Sequence, residues 1–572
     1  MKNKAYNRRK FRYASTSALL TALIIAAVIA FNVIFSALGT KFLWYVDLTP
    51  ELVFTLSDDC FDLIENGDDE FKNSASAIEM VEKFRAENAA YNKQHNIKAG
   101  EAGYRDENVM IELIFCDEID VIEASYYQKL VYNTALELQV EFPEYIKVTN
   151  HNIWRNPSAV SKYKKTANDY IDPSSVIISC GSEYRVYEMR AFFTFDSTTA
   201  ETPWAYNAEK KFAAGILAVT RAETPIACIV NNHGETLPSD AIITSLEDSG
   251  YSVEYLDMAK EDIPEDCRLL VICNPQSDFM VADGISPVDE IDKLDKFLDA
   301  TNSLMVFMSP ESPVLANLEE YLEEWGVVFD RYTDMVTGVT YPKLVADKTQ
   351  ATVGDISGYT LFSEYVTYGM GGDITEEMRD VTIPPPVVFK NSMPITYSPL
   401  YELTRNENED DPTKSYNYAS YSIDGTNRAI FDVFVTSDSA VAYSNGNIVG
   451  RATENNPFKL MTVTVEERET QESNYTTVSE ASYVVACSSV DFLTDTLLDA
   501  ASYGNNDVLL SACRAIGQEP VPVGLDPKPF ADTTIDVITS SEATQYTVVL
   551  TVLPAVVALV TGIVVIVRRK NR

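Results

Sequence analysis

Two long apolar segments lie near the ends of the chain. The first runs from 18 to 38 and is interrupted only by Thr21, Asn32 and Ser36, and the second runs from 546 to 567. Each has about the 20 residues that an α-helix needs to cross the hydrocarbon core of a bilayer. The pattern therefore predicts two transmembrane helices, one at each end of the chain.

Cationic residues flank both apolar segments on the side of the chain terminus. Six Lys and Arg residues precede the first segment and four follow the second, and neither tail holds an acid. The positive-inside rule then predicts that both tails are cytoplasmic and that the sequence between the segments is extracellular. The alternative for the first segment is a cleaved signal peptide, but its apolar stretch exceeds the roughly 7–15 residues of a signal h-region. We therefore expect a two-pass plasma-membrane protein, with residues 1–40 and 546–572 holding the helices and tails.

Helical and strand patterns alternate in residues 41–223, which we interpret as a first α/β unit. Ser57 is a candidate N-cap for a helix that begins with two acids. Apolar residues at helical spacing predict further helices, and β-branched apolar runs predict strands. Helices are expected over 75–96, 125–142 and 204–221, strands over 109–116, 146–150 and 175–180, and an edge hairpin over 186–195.

A second unit, residues 224–545, alternates strands and helices at short intervals. Strands are predicted over 225–231, 252–256, 269–273 and 304–308, and helices over 239–250, 288–300 and 317–325. This alternation indicates βαβ units and an open, doubly wound sheet. From 341 to 480 the helical periodicity fades and Thr, Ser, Tyr, Asn and Pro dominate. We expect this β-rich insertion to add strands to the second unit rather than to form a separate fold.

The charge balance narrows the classes of ligand. The chain has a formal net charge of −40, and assigning the ten terminal cations to the cytoplasm leaves about −50 on the intervening sequence. Phosphate binding needs clustered Lys and Arg, so a nucleic-acid partner is excluded. The acidic surface is typical of a protein kept soluble by repulsion. Five of the eight cysteines lie at or near the ends of apolar runs and no C-x-x-C occurs, so we expect buried free thiols.

Motifs for catalysis and cofactors are missing from the sequence. There is no P-loop, no G-x-S-x-G nucleophile turn and no calcium-loop spacing, and the three histidines are far apart. We therefore expect no metal and no cofactor. Ser309 follows a predicted strand, but its successor Pro310 has no N–H to stabilise an oxyanion. The glycines of the GMGGD sequence at 369–373 are expected to form a flexible loop.

One polar turn directly follows a predicted parallel strand. In open α/β sheets this is the crevice where ligands bind, and His233 and Glu235 could act there as an acid/base pair. The alternative is a tight turn in which Gly234 supplies the geometry and Glu235 starts the next helix. The candidate ligand-crevice residues are Asn231, Asn232, His233, Gly234 and Glu235.

The order of features along nearly the whole chain resembles the auxiliary membrane component of GldG-type, gliding-motility-associated ABC transport systems. Two departures are Asn232, where the family's G-H-G-E turn has its first Gly, and the polar stretch 75–108, which looks like an insertion. The residues that carry the resemblance are Asp47-Leu48-Thr49, Thr55-Leu56-Ser57, Asn231-Asn232-His233-Gly234-Glu235, Gly250-Tyr251-Ser252-Val253, Ile263-Pro264, Leu270-Val271-Ile272-Cys273-Asn274-Pro275, Asp491-Phe492-Leu493, Gly504-Asn505-Asn506-Asp507 and Arg568-Arg569.

The resemblance implies a non-catalytic partner of an ABC permease and an ABC ATPase in the bacterial cell envelope. It also implies that the second unit is glutamine-amidotransferase-like and flavodoxin-like, without the catalytic Cys. Small and polar residues in the apolar segments are candidates for helix contacts with the permease: Asn32, Pro554, Thr561 and Gly562. The alternatives are an extracytoplasmic cell-envelope hydrolase that uses His233 and Glu235, and a glycan- or peptide-binding module at the same crevice.

Overall fold

A computed structural model describes most of the chain between the two apolar segments. Within the described residues no helix is long and apolar enough to cross a membrane. The segment 546–567 lies outside them, as do Pro554, Thr561 and Gly562, whereas residues 25–32 are helical and include Asn32. The described residues are 53, 55–67, 75–164, 170–195, 202–221, 224–282, 287–379, 383–406, 416–423, 426–473, 476–500, 502–517, 520–525 and 527–530, together with 23, 25–32, 34 and 568.

A four-stranded sheet with helices against it forms the first part of the fold. The elements in chain order are α1 (Asp58–Glu65), α2 (Ala77–His95), β1 (Ile111–Phe115), α3 (Ile119–Ala124), α4 (Tyr126–Glu141), β2 (Ile146–Asn150), a 3₁₀-helix (Pro157–Tyr163), β3 (Val176–Cys180) and β4 (Glu183–Tyr187). The strand order is β2-β1-β3-β4, with β1 and β2 parallel and the other pairs antiparallel. Ser57 caps α1 as predicted, by accepting a hydrogen bond from the backbone N–H of Cys60.

The predicted hairpin over 186–195 is wrong, because its two halves belong to different sheets. β4 pairs with β3, a 3₁₀-helix (Met189–Phe192) turns the chain, and β5 (Phe193–Phe195) pairs with β6 (Pro203–Tyr206). The predicted helix over 204–221 is therefore shorter and begins four residues later, as α5 (Ala208–Thr220). Trp204, Ala205 and Tyr206, which the prediction placed in the helix, belong to β6.

A larger central sheet has parallel strands in its middle. Its first elements are β7 (Ile226–Val230), α6 (Ala241–Asp248), β8 (Ser252–Leu256), β9 (Cys267–Cys273), α7 (Glu290–Asp299), β10 (Ser303–Phe307) and α8 (Ala316–Glu324). The order β8-β7-β9-β10 is parallel throughout. Alternate residues of β9 face opposite layers, since Leu269 and Val271 pack with α6 whereas Leu270 and Ile272 pack with α7 and α8. The mixed α/β class predicted from the sequence is confirmed.

Part of the β-rich segment 341–480 continues this central sheet, and its other strands form small separate sheets. The remaining elements are β11 (Val327–Phe329), β12 (Arg331–Thr333), β13 (Thr340–Pro342), β14 (Leu344–Ala346), β15 (Thr360–Phe362), β16 (Glu364–Tyr365), α9 (Gly369–Ile374), α10 (Glu376–Arg379), β17 (Val388–Lys390), β18 (Ile395–Tyr397), β19 (Glu402–Asn406), β20 (Tyr416–Ile423), β21 (Thr426–Val435), β22 (Val441–Ser444), β23 (Asn447–Arg451), β24 (Lys459–Ser473), β25 (Thr476–Cys487), a 3₁₀-helix (Asp491–Leu493), α11 (Asp495–Leu498), α12 (Asn505–Gly517) and β26 (Lys528–Pro529). β25 lies parallel to β10, and β24, β21, β20 and β19 follow it as antiparallel neighbours. β26 returns to the first part of the fold and pairs with β6.

The glycines at 369–373 form a packed helix, which corrects the prediction of a flexible loop. They belong to α9, and Gly371 and Gly372 are buried in it. A Cβ atom on Gly371 would overlap the backbone carbonyl oxygen of Asp432 in β21. The absence of side chains therefore lets α9 approach the strand closely, which explains a glycine-rich sequence in a helix that glycine otherwise disfavours.

Replacing Gly371 with alanine should destabilise the protein. The added methyl group meets backbone atoms that cannot move aside, so we expect Gly371→Ala to lower the free energy of unfolding by about 1–3 kcal/mol. Denaturant titration of the full-length chain measures this loss. Gly450→Ala is the matched control, because its nearest neighbour would lie 3.5 Å away. Equal stability of the two variants would show that α9 is not held against β21.

Candidate functional site

The crevice at the carboxyl ends of β7 and β9 is the natural place for a site. β7 and β9 are neighbours, and the chain passes from β7 outward to β8 on one side and from β9 outward to β10 on the other. Together with β25 the parallel order is β8-β7-β9-β10-β25, and in sheets of this kind ligands bind where the strand order reverses. The polar turn at residues 231–235 follows β7 at this point. The backbone N–H groups of Gln276 and Ser277, which follow β9, both donate to the His233 carbonyl, at 2.8 and 2.9 Å.

The imidazole of His233 lies between two carboxylates. Its Nδ1 is 3.0 Å from Glu235 Oε1 and its Nε2 is 2.9 Å from Glu290 Oε2. The ring stacks on Phe279 with the two centroids 3.8 Å apart. His233 is 3% exposed and Glu290 is fully buried. The sequence indicated His233 and Glu235, but not Glu290 and Phe279.

Glu290 comes from the first turn of α7 and joins three segments of the chain. One carboxylate oxygen accepts a hydrogen bond from the Asn232 side-chain amide at 2.7 Å, and the other accepts from the Met280 backbone N–H at 2.7 Å as well as from His233. The Asn232 side-chain oxygen in turn accepts from the Met258 backbone N–H at 3.2 Å. The turn after β7, the loop after β8 and the start of α7 are thus held together.

The turn itself is built by Gly234 and Glu235. Gly234 has φ +79°, a left-handed conformation that favours glycine, as the sequence suggested. The alternative in which Glu235 starts a helix is wrong, because α6 begins only at Ala241. Instead, Glu235 Oε2 accepts a hydrogen bond from the His233 backbone N–H at 2.6 Å, so the side chain folds back over its own turn. Asn231 is fixed by its backbone N–H, which donates to the Leu256 carbonyl at 3.1 Å.

The electrostatics favour a protonated imidazole. Burial disfavours the charged ring, but hydrogen bonds to Glu235 and Glu290 outweigh it and raise the pKa of His233 to about 9. Burial also disfavours the Glu290 carboxylate, yet the hydrogen bonds from His233, Met280 and Asn232 lower its pKa overall. At neutral pH both ring nitrogens therefore donate, and neither carries a lone pair that could accept a proton. This geometry fits a structural clamp better than a general base.

The remaining candidates from the sequence take structural positions. Ser309 Oγ accepts a hydrogen bond from the Glu311 backbone N–H at 3.2 Å, within a turn after β10. Asn32 is exposed on its helical stretch. All eight cysteines are buried free thiols, in agreement with the expectation. In the described part of the chain, no group of three or more His, Cys, Asp or Glu side chains is arranged to hold a metal ion.

Comparisons with known proteins leave the family of the chain open. No protein-family model and no curated protein matches the sequence. Among solved structures, the mmIFT52 N-terminal domain is similar with a TM-score of 0.32 and 10% sequence identity, over 51% of this chain and 97% of that one. A likeness at this TM-score carries no argument about fold or function, so the resemblance to GldG-type proteins stays a prediction.

Breaking the clamp formed by His233, Glu235 and Glu290 should destabilise the protein more at pH 7 than at pH 9.5. We expect Glu290→Gln to lower the free energy of unfolding by roughly 3 kcal/mol at pH 7, because a buried charged partner is removed. A folded-state His233 pKa of about 9 against 6.5 unfolded gives stability that is complete below pH 6.5 and is lost as pH rises through 9. The deficit of the variant should therefore shrink as pH increases from 7 to about 9.5. Chemical unfolding across this range measures it.

The exposed Glu254 of the adjacent strand β8 supplies the control for that experiment. Glu254→Gln makes the same chemical change without touching the clamp and should leave both the stability and its pH dependence unchanged. A Glu290→Gln deficit that stays constant across the pH range would contradict the charged imidazole.

Proposed function

We propose that this chain is a non-catalytic, membrane-anchored auxiliary subunit of an ABC transport system. The segments 18–38 and 546–567 span the plasma membrane, both termini are cytoplasmic, and the α/β units between them are extracellular. In this proposal the permease and the ATPase are separate chains. Conformational change in the permease is transmitted to the extracellular units through the two helices, or ligand binding to the extracellular units is transmitted to the permease.

Ser57 and Lys528, which lie near the two ends of the folded part, both contact Glu209, and this observation carries the proposal. Glu209 is 6% exposed in the first turn of α5. Its Oε1 accepts a hydrogen bond from the Ser57 backbone N–H at 2.8 Å, and its Oε2 lies 2.6 Å from Lys528 Nζ. Lys528 Nζ also donates to the Thr55 carbonyl at 2.6 Å. The chain thus enters and leaves the folded part at one point.

The distance that remains to each apolar segment suits two neighbouring helices. About 15 residues separate residue 38 from residue 53, and about 16 separate residue 530 from residue 546. Each connection can span up to roughly 50 Å when extended, at about 3.3–3.6 Å per residue. Both helices can therefore enter the bilayer beneath the Glu209 junction, where one permease could contact both.

The described residues of the first apolar segment support its placement in lipid. They are helical, and large apolar side chains among them are exposed, with Leu23 63% and Ile29 59% exposed. Exposed apolar side chains on several successive residues are unfavourable in water and favourable in a hydrocarbon core.

The hydrolase alternative is less well supported. It requires His233 to take a proton from water or substrate, whereas the ring is buried and donates to two carboxylates. A binding role at the same turn would require displacement of Glu290, which three hydrogen bonds hold in place. We therefore assign the turn at residues 231–235 to structure.

Co-purification from native membranes tests the proposal. Full-length tagged protein, cross-linked in cells and solubilised in detergent, should recover an ABC permease and an ABC ATPase by mass spectrometry. Replacing 18–38 and 546–567 with unrelated transmembrane helices should preserve the melting temperature but abolish recovery, because the candidate contact residues lie in those segments. Recovery of no ABC component with the unmodified chain would refute the proposal, and full recovery with the replaced helices would refute the helix contact.

A further inference from the structure

A cleft of about 920 Å³ separates the small sheet of β5 and β6 from α6 and α11. One lip carries Glu188, Arg190 and Trp204, which surround β5, and the opposite lip carries Asp495 and Asp499 from the segment around α11. Its volume falls in the range of about 300–1,000 Å³ that is usual for small-molecule sites, and sites often lie between structural units. The cleft is distinct from the His233 clamp.

Aromatic rings form part of the wall on the β5 side. Phe193 is buried, and Phe195 and Trp204 are half-buried beside it. The Arg190 guanidinium lies 4.1 Å from the centroid of the Phe195 ring. This contact shows that the wall already accepts a cation against an aromatic face, an arrangement that attracts organic cations in general.

Acidic side chains outnumber cations around the opening. Glu188, Asp495 and Asp499 are exposed, and no described Lys or Arg lies within ion-pair distance of them. Desolvation by burial raises the pKa of Asp499, and repulsion from Asp495 adds to the shift, whereas the charge of Lys211 opposes it. Each of these carboxylates would gain from a positive partner.

The lysine at the back of the cleft forms its direct ion pair with a different acid, and it reaches Asp499 only through its longer-range field. Lys211 Nζ donates to both carboxylate oxygens of Asp248 at 2.7 Å, and both side chains are 4% exposed. The carboxylates of the lips therefore have no direct ion pair within the described residues, and a cationic ligand could supply one.

An unused acceptor lies deeper in the cleft. Asn207 is the N-cap residue of α5, but its side chain makes no capping hydrogen bond. Its Oδ1 is buried and has no hydrogen-bond partner in the described protein. A buried acceptor without a donor costs free energy, and an N–H group of a ligand would remove that cost.

A metal ion does not suit this arrangement, because the carboxylates are distributed over two lips instead of converging on one point. We propose that the cleft binds an extended organic cation, whose amine groups pair with the carboxylates of both lips and whose methylene chain lies against the aromatic wall. A free polyamine and the lysine side chains of a peptide share this chemistry. The inference goes beyond the proposed function and does not depend on it.

Calorimetric titration of the detergent-solubilised full-length chain tests the inference, with spermidine and pentalysine as probes at about 0.15 M ionic strength. We expect saturable binding of at least one probe. The double variant Asp495→Asn, Asp499→Asn should weaken it about tenfold or more, because two charge-assisted contacts are lost. Trp204→Ala should weaken binding as well, by removing part of the apolar wall.

The matched control changes the same number of charges at a different cavity. Asp438 and Glu454 are exposed acids that line a cavity of about 890 Å³ in the β-rich insertion. Asp438→Asn, Glu454→Gln should leave the affinity unchanged, which separates a local site from the general acidic field of the protein. Melting temperatures confirm that the variants fold, and Glu188→Gln replaces the double variant if it does not.

The two probes distinguish the source of the ligand. Binding of spermidine alone supports a free polyamine, and binding of pentalysine alone supports a basic peptide. Failure of both probes to saturate overturns the inference, as does an equal loss of affinity in the control double variant. Because no permease takes part in this measurement, such a failure leaves the co-purification result independent.

Discussion

Buried charges at the start of α5 fix the arrangement of the described chain. Three successive side chains of this helix are each almost fully buried, and each meets an opposite charge from a different segment. A buried charge that loses its partner costs several kcal/mol, so these pairs tolerate little displacement. The pairs are Glu209 with Lys528, Lys210 with Asp507, and Lys211 with Asp248. Through them α5 holds β26, α12 and α6, and with these the two ends of the folded part.

The same rule separates the two polar regions of the molecule. At the turn after β7 the side chains of His233, Glu235 and Glu290 are buried and pair with each other. In the cleft beside β5 the carboxylates of Asp495 and Asp499 are exposed and make no direct ion pair with a described Lys or Arg. Paired charges thus build the scaffold, and the ligand proposed for the cleft would supply the direct partners that these carboxylates lack.

The parts of the fold that could be predicted are those encoded locally. The strands β7, β9 and β10 contain continuous apolar runs, and Ser57 marks a helix start by its own side chain, so these features were visible in the sequence. The split of residues 186–195 between two sheets was not visible in the sequence, because β5 and β6 are joined by β26 from the far end of the chain. The glycines of α9 look like a loop until the backbone of β21 is placed against them.

In the candidate site, too, the locally encoded features could be predicted and those that depend on tertiary packing could not. Gly234 and the position of His233 after a parallel strand could be inferred from the order of residues. Glu290 lies 57 residues further along, and an acid at a helix N-terminus has an ordinary explanation in the helix dipole, so nothing in the sequence linked it to His233. Its contact adds a second buried carboxylate partner to the His233 ring. The cleft depends on two segments that only tertiary packing brings together.

The distance between Asp59 and Pro529, which lie near the two ends of the folded part, tests the account most directly. Spin labels on cysteines introduced at the exposed positions Asp59 and Pro529, in a full-length chain whose native thiols are all buried, report that distance by pulsed electron paramagnetic resonance. We predict one short, narrow distance distribution in membranes, which becomes longer and broader in Glu209→Ala because Ser57 and Lys528 lose their common partner. A long or broad distribution in the chain that retains Glu209 would contradict the junction and, with it, the placement of both apolar segments beneath one point.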